Sequence, residues 1–214
     1  MLEHVIDKFS GEIAAAIGGA VAGFVIYSIR YLWKRWKAHK AKLQREAASS
    51  MIPNLIKRDI GVYRDLTELM VETKADRAFV IQFHNGTYYV NKANQMKMSC
   101  THEIVKDGIS REQDNMQDLL ISRFPVMIND LLNAEFITIC TKDKHDYFSQ
   151  MLVNQGVGKC ILAIVKDENI LEGFVGISYI EGDDLCSTID AEKIGEVVVN
   201  YAARVGYMLR SRDD

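Results

Sequence analysis

Residues 148–180 decide the fold, and they read FSQMLVNQGVGKCILAIVKDENILEGFVGISYI. The first part predicts a helix over residues 146–154, because its large apolar side chains recur on one side at helical spacing. Gly156 then ends this helix, since glycine readily adopts the left-handed conformation that follows a last helical turn. The remainder consists of two apolar runs, Cys160–Val165 and Leu171–Ile180, separated by a polar turn. We therefore expect a helix followed by a hairpin of two buried strands.

Two further strands are predicted earlier in the chain. Residues 77–83 are rich in β-branched and aromatic side chains and end at His84-Asn85-Gly86, in which Asn-Gly is a strong turn signal. The four residues that follow are predicted to return as a second strand or as a pocket-lining loop. Residues 96–104 alternate between apolar and polar, which is typical of a strand with one buried face. This alternation places Cys100 and His102 on the same face.

Long helices are predicted at both ends of this strand-rich region. After a joint at Ser49, Ser50 and Pro53, one helix runs to about Thr73 with a continuous apolar stripe. The stripe is compatible with a parallel coiled-coil seam and equally with a helix packed on its own domain. The other helix opens in Ser187-Thr188-Ile189-Asp190 and runs to Arg210, again with helical apolar spacing.

Between the strands, residues 116–122 suit a short helix and residues 124–130 a short extended piece. The predicted order is thus helix, two or three strands, short helices, two strands and a last helix. Terminal helices beside a mostly antiparallel sheet define the α+β class.

Several of these segments resemble the GAF domain family. Gln155–Cys160 (QGVGKC), the strand after it and Gly173–Ser178 (GFVGIS) look like the family's L-x-x-x-G-V-x-S-x-L-x-V-P followed by G-x-L-x-L. Phe124–Asp130 (FPVMIND) is similar to its G-x-P-V-x-I-x-D, and the last helix to its closing D-x-x-x-L-x-x-x-A-x-x-x-A. The resemblance covers residues 52–210. It implies a GAF/PAS-like sheet flanked by N- and C-terminal helices, in a domain with a sensory or binding role.

The chain departs from the family pattern at several positions. Lys159 stands where a serine is frequent, and residues 163–165 lack the usual proline. Nothing matches the cysteine that attaches a bilin, or the catalytic cysteine pattern of the sulfoxide reductases in this family. The resemblance therefore implies the fold but leaves the ligand and any cofactor open.

An uncharged segment of 17 residues, Ile13–Ile29, precedes this domain. At a rise of about 1.5 Å per residue, it is near the lower limit for crossing a hydrocarbon core of about 30 Å. Aromatic residues just beyond it extend the predicted transmembrane helix to residues 13–33. Ala15, Gly19 and Gly23 form a small-xxx-small pattern that lets two helices approach closely. Together with the apolar stripe further on, this pattern predicts a homodimer or a higher homo-oligomer.

A basic collar follows directly, because residues 30–45 contain seven basic residues and no acidic one. From residue 46 onward, eighteen basic residues stand against twenty-six acidic ones. Such an asymmetry favours contact with anionic lipid headgroups and argues against nucleic acid as a partner. By the positive-inside rule, the N-terminus lies outside and the soluble domain in the cytoplasm, at the inner membrane. The collar consists of Arg30, Lys34, Arg35, Lys37, Lys40, Lys42 and Arg45.

The predicted organisation has five parts. They are a short N-terminal segment (1–12), the transmembrane helix (13–33), a basic juxtamembrane helix (34–50), the GAF-like domain (51–210) and a tail (211–214). A weaker resemblance is to the holin of T-even phages, in length, in its one N-terminal membrane helix and in a C-terminal domain ending in paired strands and an Arg-containing helix. It implies, as an alternative, a structural or lysis-type membrane protein whose α/β domain controls assembly.

A ligand pocket is predicted between the sheet and its loops, where such folds enclose one. His84 and Asn85 close a strand edge and offer a pair of groups that orient a polar ligand. Structural roles stay open for three positions: Asn85 in a turn that satisfies its own backbone, His102 as a core histidine and Asp130 as a helix cap. The predicted lining residues are Phe83, His84, Asn85, Tyr89, Cys100, His102, Asp130 and Cys160.

Catalytic signatures are missing from the sequence. No H-x-x-x-H, G-x-S-x-G or glycine-rich phosphate loop occurs. Cys100, Cys140, Cys160 and Cys186 have no C-x-x-C spacing, and we expect them to be free thiols in a reducing compartment. The sequence therefore predicts a non-enzymatic, membrane-anchored module that dimerises through its helices and binds a small ligand or a protein partner.

Overall fold

The structure, a computed structural model, describes the backbone of residues 2–88, 94–142, 146–167, 170–180 and 190–210. In the first of these ranges, side chains are described for residues 29–43, 52–86 and 88. The chain forms two units, Met1–Leu55 and Ile56–Asp214.

The first unit consists of helix. Helix α1 (Leu2–Thr73) begins in this unit and ends in the second. The predicted joint at Ser49, Ser50 and Pro53 is wrong, because helical backbone continues through it with Pro53 inside the helix. A proline removes only one backbone donor, so good helix formers on both sides of it can carry the helix onward.

The predicted transmembrane segment, residues 13–33, falls mostly where side chains are not described. Among the residues that are described, no helix carries an apolar stretch long enough to span a bilayer.

The second unit is built on one antiparallel sheet, as predicted. Its order is β3-β2-β1-β6-β5-β4, and each neighbouring pair runs antiparallel. The strands are β1 (Arg77–Tyr88), β2 (Asn94–Val105), β3 (Leu119–Leu120), β4 (Phe136–Cys140), β5 (Val157–Asp167) and β6 (Ile170–Ile180). The further helices of the described chain are α2 (Pro125–Asn133), α3 (Tyr147–Asn154) and α4 (Ala191–Arg210).

Each face of the sheet has its own apolar core. The helix face is the side covered by α1 and α4, where Val62 and Leu66 of α1 pack with Val198 and Val205 of α4. The loop face is the opposite side, covered by α2, α3 and the chain between β2 and β4. Its core is rich in aromatic rings and includes Phe79, Phe124, Phe148 and Phe174.

The Asn-Gly signal was misinterpreted. Instead of turning at His84-Asn85-Gly86, β1 continues to Tyr88, and the reversal falls within residues 89–93, outside the described part. The β1–β2 register shifts between Asn85 and Tyr88, so Gly86 sits in a strand irregularity. A Cβ atom there would collide with the backbone oxygen of Gln95. Glycine therefore serves close strand approach here, not a turn.

The segment between β2 and β4 differs from its prediction. Residues 116–122 form no α-helix; two 3₁₀ turns, Gln113–Asn115 and Ile121–Arg123, flank the short strand β3. The expected extended piece at residues 124–130 is helix α2, which starts with Pro125 at its first position. Proline is well tolerated at a first helical position, because its missing N–H has no partner there in any case. Strand β4 was not predicted.

The remaining elements are close to their predictions. Asp146 caps α3, with its Oδ1 accepting from the backbone N of Phe148 (2.9 Å) and of Ser149 (3.1 Å). Gly156 follows this helix at φ +71, as its C-terminal role requires. Strands β5 and β6 pair as a hairpin, and α4 ends at Arg210.

Candidate functional site

A row of polar side chains crosses the buried loop face. Arg77 on β1 lies opposite Ser178 on β6, which lies opposite Cys160 on β5. Directly opposed residues of antiparallel strands point to the same side of the sheet, so these three side chains are neighbours. All are buried, with 2% of Arg77 exposed and none of Ser178 or Cys160. We call Arg77, Ser178, Cys160 and the adjoining Glu103 the polar row.

Arg77 is held from three directions. Its Nε lies 3.2 Å from Oε1 of Glu103, close enough for an ion pair although the N–H is not aligned for a hydrogen bond. Its Nη2 donates to the backbone oxygen of Ser110 at 2.9 Å. Its Nη1 donates to Oε1 of Gln155, at the end of α3, at 3.4 Å. The guanidinium thus ties the sheet to two segments that cover the loop face.

Glu103 is stabilised by backbone donors as well as by Arg77. Its carboxylate accepts from the backbone N of Glu112, at 3.0 and 2.9 Å to its two oxygens, and from that of Gln113 at 3.0 Å. Charge-assisted bonds of this kind compensate the removal of a carboxylate from water. The buried pair therefore fixes the chain after β2 against the sheet.

Ser178, like Arg77 at its Nε, has a buried polar atom that makes no hydrogen bond. Its Oγ is fully buried and has no hydrogen-bond partner among the described residues. A buried hydroxyl without a partner costs about 1–3 kcal/mol. Its neighbours Arg77 and Cys160 make this position polar on one side and apolar on the other.

The two buried thiols on this face, Cys100 and Cys160, are not activated as nucleophiles. Burial raises the pKa of Cys160 to about 12, and the nearby Arg77 lowers it only in part. Burial likewise raises the pKa of Cys100 to about 12, with Glu103 adding to the rise. Since a thiol reacts as its thiolate, neither group is activated as a nucleophile at neutral pH.

Three predicted pocket residues lie on the loop face. Phe83 packs edge-on against Phe174, with ring centroids 6.0 Å apart. Cys100 and Cys160 belong to the same apolar core. The structure thus brings Phe83, Cys100 and Cys160 to one side of the sheet, although two strands, β1 and β6, lie between the strands that carry the two cysteines.

His84 and Asn85 lie toward the opposite end of β1 from Arg77. Nε2 of His84 is 2.9 Å from Oγ of Ser99, and Oδ1 of Asn85 accepts from Nδ2 of Asn94 at 2.7 Å. Both pairings are cross-strand bonds of the β1–β2 hairpin. The structure thus shows His84 and Asn85 in strand pairing, and their role in ligand binding stays a prediction. Tyr89 lies outside the described residues.

His102 is on the helix face, which corrects the predicted alternation. Val80 pairs with His102 and Ile81 with Cys100, so Thr101 is an extra residue on β2. One extra residue reverses the side on which later residues point. Cys100 and His102 consequently face opposite sides of the sheet, and His102 does not join the loop-face residues.

Asp130 is half-buried within α2 and does not cap a following helix.

Cys140, at the end of β4, is disulfide-bonded, so the expectation of four free thiols is wrong at this position. Cys100 and Cys160 are free as expected, and Cys186 lies outside the described residues. Sequence spacing could not show this bond, because it excludes only short-range cysteine pairs.

Sequence reasoning missed Arg77, Glu103 and Ser178. The alternation in residues 96–104 predicts an exposed Glu103, whereas Arg77 and Glu103 are both buried. Their opposite charge is the one signal that the sequence offers for this pair. The sequence gives no signal for Ser178, because the lack of a hydrogen bond to its hydroxyl depends on the residues around it in the fold.

Across the described ranges, no group of three His, Cys, Asp or Glu side chains converges as metal ligands do.

Sheet order, flanking helices and the covered loop face together define an α+β domain with a GAF-like fold. Similar solved structures include the cyanobacteriochrome receptor PixJ, at a TM-score of 0.53 and 11% identity, over 73% of this chain and 97% of that chain. The PixJ GAF domain of Thermosynechococcus elongatus, in its blue-light absorbing form, gives a TM-score of 0.51 at 11% identity, over 73% of this chain and 89% of that chain.

A further similar structure is the chromophore-binding domain of an unusual bacteriophytochrome from R. palustris. It has a TM-score of 0.51 and 10% identity, over 76% of this chain and 60% of that chain. No family model and no curated protein sequence matches this chain. At identities this low, the likeness establishes the fold alone.

Proposed function

We propose that this chain is a membrane-anchored, non-enzymatic GAF-like sensory domain that binds a small ligand on its loop face. The observation that carries the proposal is the polar row, in which Ser178 offers a buried hydroxyl without a partner beside Arg77. The similar structures named above are photoreceptor and chromophore-binding domains, which supports a ligand-binding role for the same fold here. The ligand then places a hydrogen-bonding group at Ser178 and apolar surface against the surrounding aromatic rings.

Thermal unfolding of the full chain in detergent tests ligand binding. The probes are a panel of nucleotides, inorganic anions and the linear tetrapyrrole biliverdin, and a bound probe raises the Tm. In the variant Ser178→Ala, we expect that rise to shrink or vanish, because the hydrogen bond to the ligand is lost. The unliganded variant should be as stable as the parent chain, or more stable by about 1 kcal/mol, since an unpartnered hydroxyl is removed.

Thr138→Val is the matched control for that variant. Thr138 also has a buried hydroxyl oxygen without a hydrogen-bond partner, but by alternation on β4 it lies on the helix face. The control should reproduce the effect on unliganded stability and leave the ligand-induced rise in Tm intact. If no probe stabilises the chain, or if both variants lose the rise equally, a site at Ser178 is ruled out.

A non-enzymatic role is supported by the state of the thiols. Both free cysteines of the loop face have a raised pKa and remain protonated at neutral pH. Covalent catalysis needs an activated nucleophile next to a base, and neither Cys100 nor Cys160 meets that requirement. Alkylation of the native chain by iodoacetamide should accordingly be slow at both positions. Rapid modification of either one contradicts this part of the proposal.

Membrane attachment is supported by the aromatic and basic residues after residue 28. Trp33 and Trp36 are 59% and 57% exposed, and Nζ of Lys37 lies 4.3 Å from the ring centroid of Trp33. Exposed indoles with lysines beside them suit the interface of a bilayer with anionic headgroups. The chain should remain with the membrane fraction after carbonate washing. Release into the aqueous fraction contradicts the anchor.

Protease digestion of intact spheroplasts tests the orientation. The basic collar favours a cytoplasmic domain, which is then protected. The disulfide at Cys140 is the opposing observation, because such bonds persist in oxidising compartments. Digestion of the domain from outside reverses the proposed orientation, and it also favours the alternative of a holin-like protein with an external domain.

Self-association is supported by an apolar strip on α1. Ile56, Ile60 and Val71 are 54%, 64% and 70% exposed. Side chains this apolar are usually covered when they recur along one helix. Crosslinking of the full chain in detergent should trap a dimer, and Ile60→Asp should abolish it. A monomer in both chains contradicts the dimer.

A further inference from the structure

His102 lies at the point where the sheet packs against α1. The extra residue Thr101 turns its ring to the helix face, where only 5% of the residue is exposed. The ring meets that of Tyr63 edge-on, with centroids 5.1 Å apart. Its Nε2 lies 3.4 Å from Oδ1 of Asp59 on the same helix. A titratable ring is thus enclosed between β2 and α1.

The groups around His102 come from three elements. On α1, Asp59 and Tyr63 touch the ring, and Arg58 forms an ion pair with Asp59 at 3.3 Å. On β2, Oγ1 of Thr101 is 3.0 Å from Nδ1. On β1, the opposing residue is the apolar Val80. The carboxylate of Asp59 therefore favours the protonated ring, whereas Arg58 and the burial of the ring favour the neutral one.

Burial has the largest effect on the pKa of His102. It lowers the pKa of His102 below the usual 6.5, although Asp59 acts to raise it. The imidazole is therefore neutral at neutral pH, and its neutral form fits the enclosed position. For a group whose folded-state pKa is lowered, stability is fully present above the unfolded pKa of about 6.5. That stability is lost as the pH falls toward the folded-state pKa.

We infer that His102 is a proton-responsive contact between the sheet and α1, and that protonation of its imidazole loosens α1 residues 56–73 from β2. The geometry provides the cause, because the ring of His102 is buried against Asp59 and Tyr63 of α1. A proton added to the ring is therefore added at the contact between β2 and α1. Acidification then acts on α1 directly, without any ligand on the loop face. This input is separate from the proposed ligand site, which lies on the other side of the sheet.

Amide hydrogen exchange of the full chain in detergent tests this inference. Protection of α1 residues 56–73 is measured at pH 7.5 and 5.5 and corrected for the intrinsic exchange rates. We expect protection to fall roughly threefold or more at the lower pH, since a shift of one pKa unit corresponds to a factor of about ten. In His102→Gln, which cannot be protonated, the two corrected values should agree.

His84→Gln is the control, because His84 belongs to the same β1–β2 hairpin but bonds to Ser99 of that hairpin. This variant should keep the pH response of the parent chain. A pH response that persists in His102→Gln overturns the inference, as does its loss in His84→Gln.

An NMR titration of the His102 ring in the unmutated chain gives a second readout that does not depend on any variant folding. The ring should titrate below the usual value, and Asp59→Asn should lower its pKa further by removing the favourable charge. A ring that titrates at or above 6.5, or that is indifferent to Asp59→Asn, also overturns the inference.

Discussion

One ion pair on each face of the sheet can be compared by how far it is enclosed. On the helix face, Asp65 is 2% exposed, but its partner Arg204, 2.8 Å away, is 48% exposed and remains in contact with water. On the loop face, both Arg77 and Glu103 are enclosed, with 3% and 1% of their side chains exposed. Of these two ion pairs, the helix-face pair therefore keeps its arginine in contact with water, whereas the loop-face pair lies within the core.

This difference indicates how each ion pair responds to movement. An ion pair with one exposed member tolerates a small displacement of its helix, because the exposed charge is resolvated at once. An enclosed ion pair resists rearrangement, because separating its members leaves a charge buried without a partner. Under the proposed function, the enclosed pair on the loop face would hold the polar row in place for a ligand.

The largest expected effect comes from breaking the enclosed pair. Arg77→Met leaves Glu103 without its cation and should destabilise the domain by about 3–5 kcal/mol in urea unfolding. Arg204→Met is the helix-face counterpart. It should cost only about 1–2 kcal/mol, because Asp65 still has Arg64 at 3.7 Å and the lost partner Arg204 is itself half exposed. Equal costs for the two variants would remove the contrast between the faces.

An intermediate effect should follow from adding one methyl group to each face. A Cβ at Gly176 meets the ring of Phe79 and Cδ2 of Leu162, both buried in the loop-face core. Gly176→Ala should therefore cost about 1–3 kcal/mol. At Gly195, the added Cβ meets the ring of Phe136, which is only partly buried and can swing aside.

Gly195→Ala should consequently have the smaller effect on the midpoint of urea unfolding. The reverse order would mean that the helix face is the more tightly packed of the two.

The smallest expected effect concerns the helix caps. Asp146 receives two backbone bonds at the start of α3, on the loop face, and Asp146→Ala should cost about 1 kcal/mol. Asp190 receives one backbone bond, from the N of Lys193 at 3.2 Å, at the start of α4. Asp190→Ala should cost less, as measured by thermal unfolding. A larger loss at Asp190 would show that α4 depends on its cap more than α3 does.

Elements with a complete local pattern were predictable from the sequence. Helix α3 has its apolar side, its capping Asp146 and its terminating Gly156 within eleven residues. The β5–β6 hairpin consists of two apolar runs around a polar turn. In each case the physical cause is local, so reading along the chain is sufficient.

Other predictions failed where the cause lies in a neighbouring strand. Asn85-Gly86 reads as a turn, but the close approach of Gln95 keeps it within β1. Cys100 and His102 read as one face, but the extra residue Thr101 separates them. Neither the partner strand nor its register is visible in a local pattern.

The sequence by itself determined the class of this domain, because hydrophobic spacing of 2 and 3.6 residues decides which segments are strands and which are helices. Only the tertiary structure decided the composition of the candidate site. Arg77, Ser178 and Cys160 are far apart in sequence and become neighbours only through the register of three strands. A site is defined by which side chains meet away from water, and that depends on pairing and burial that no single segment encodes.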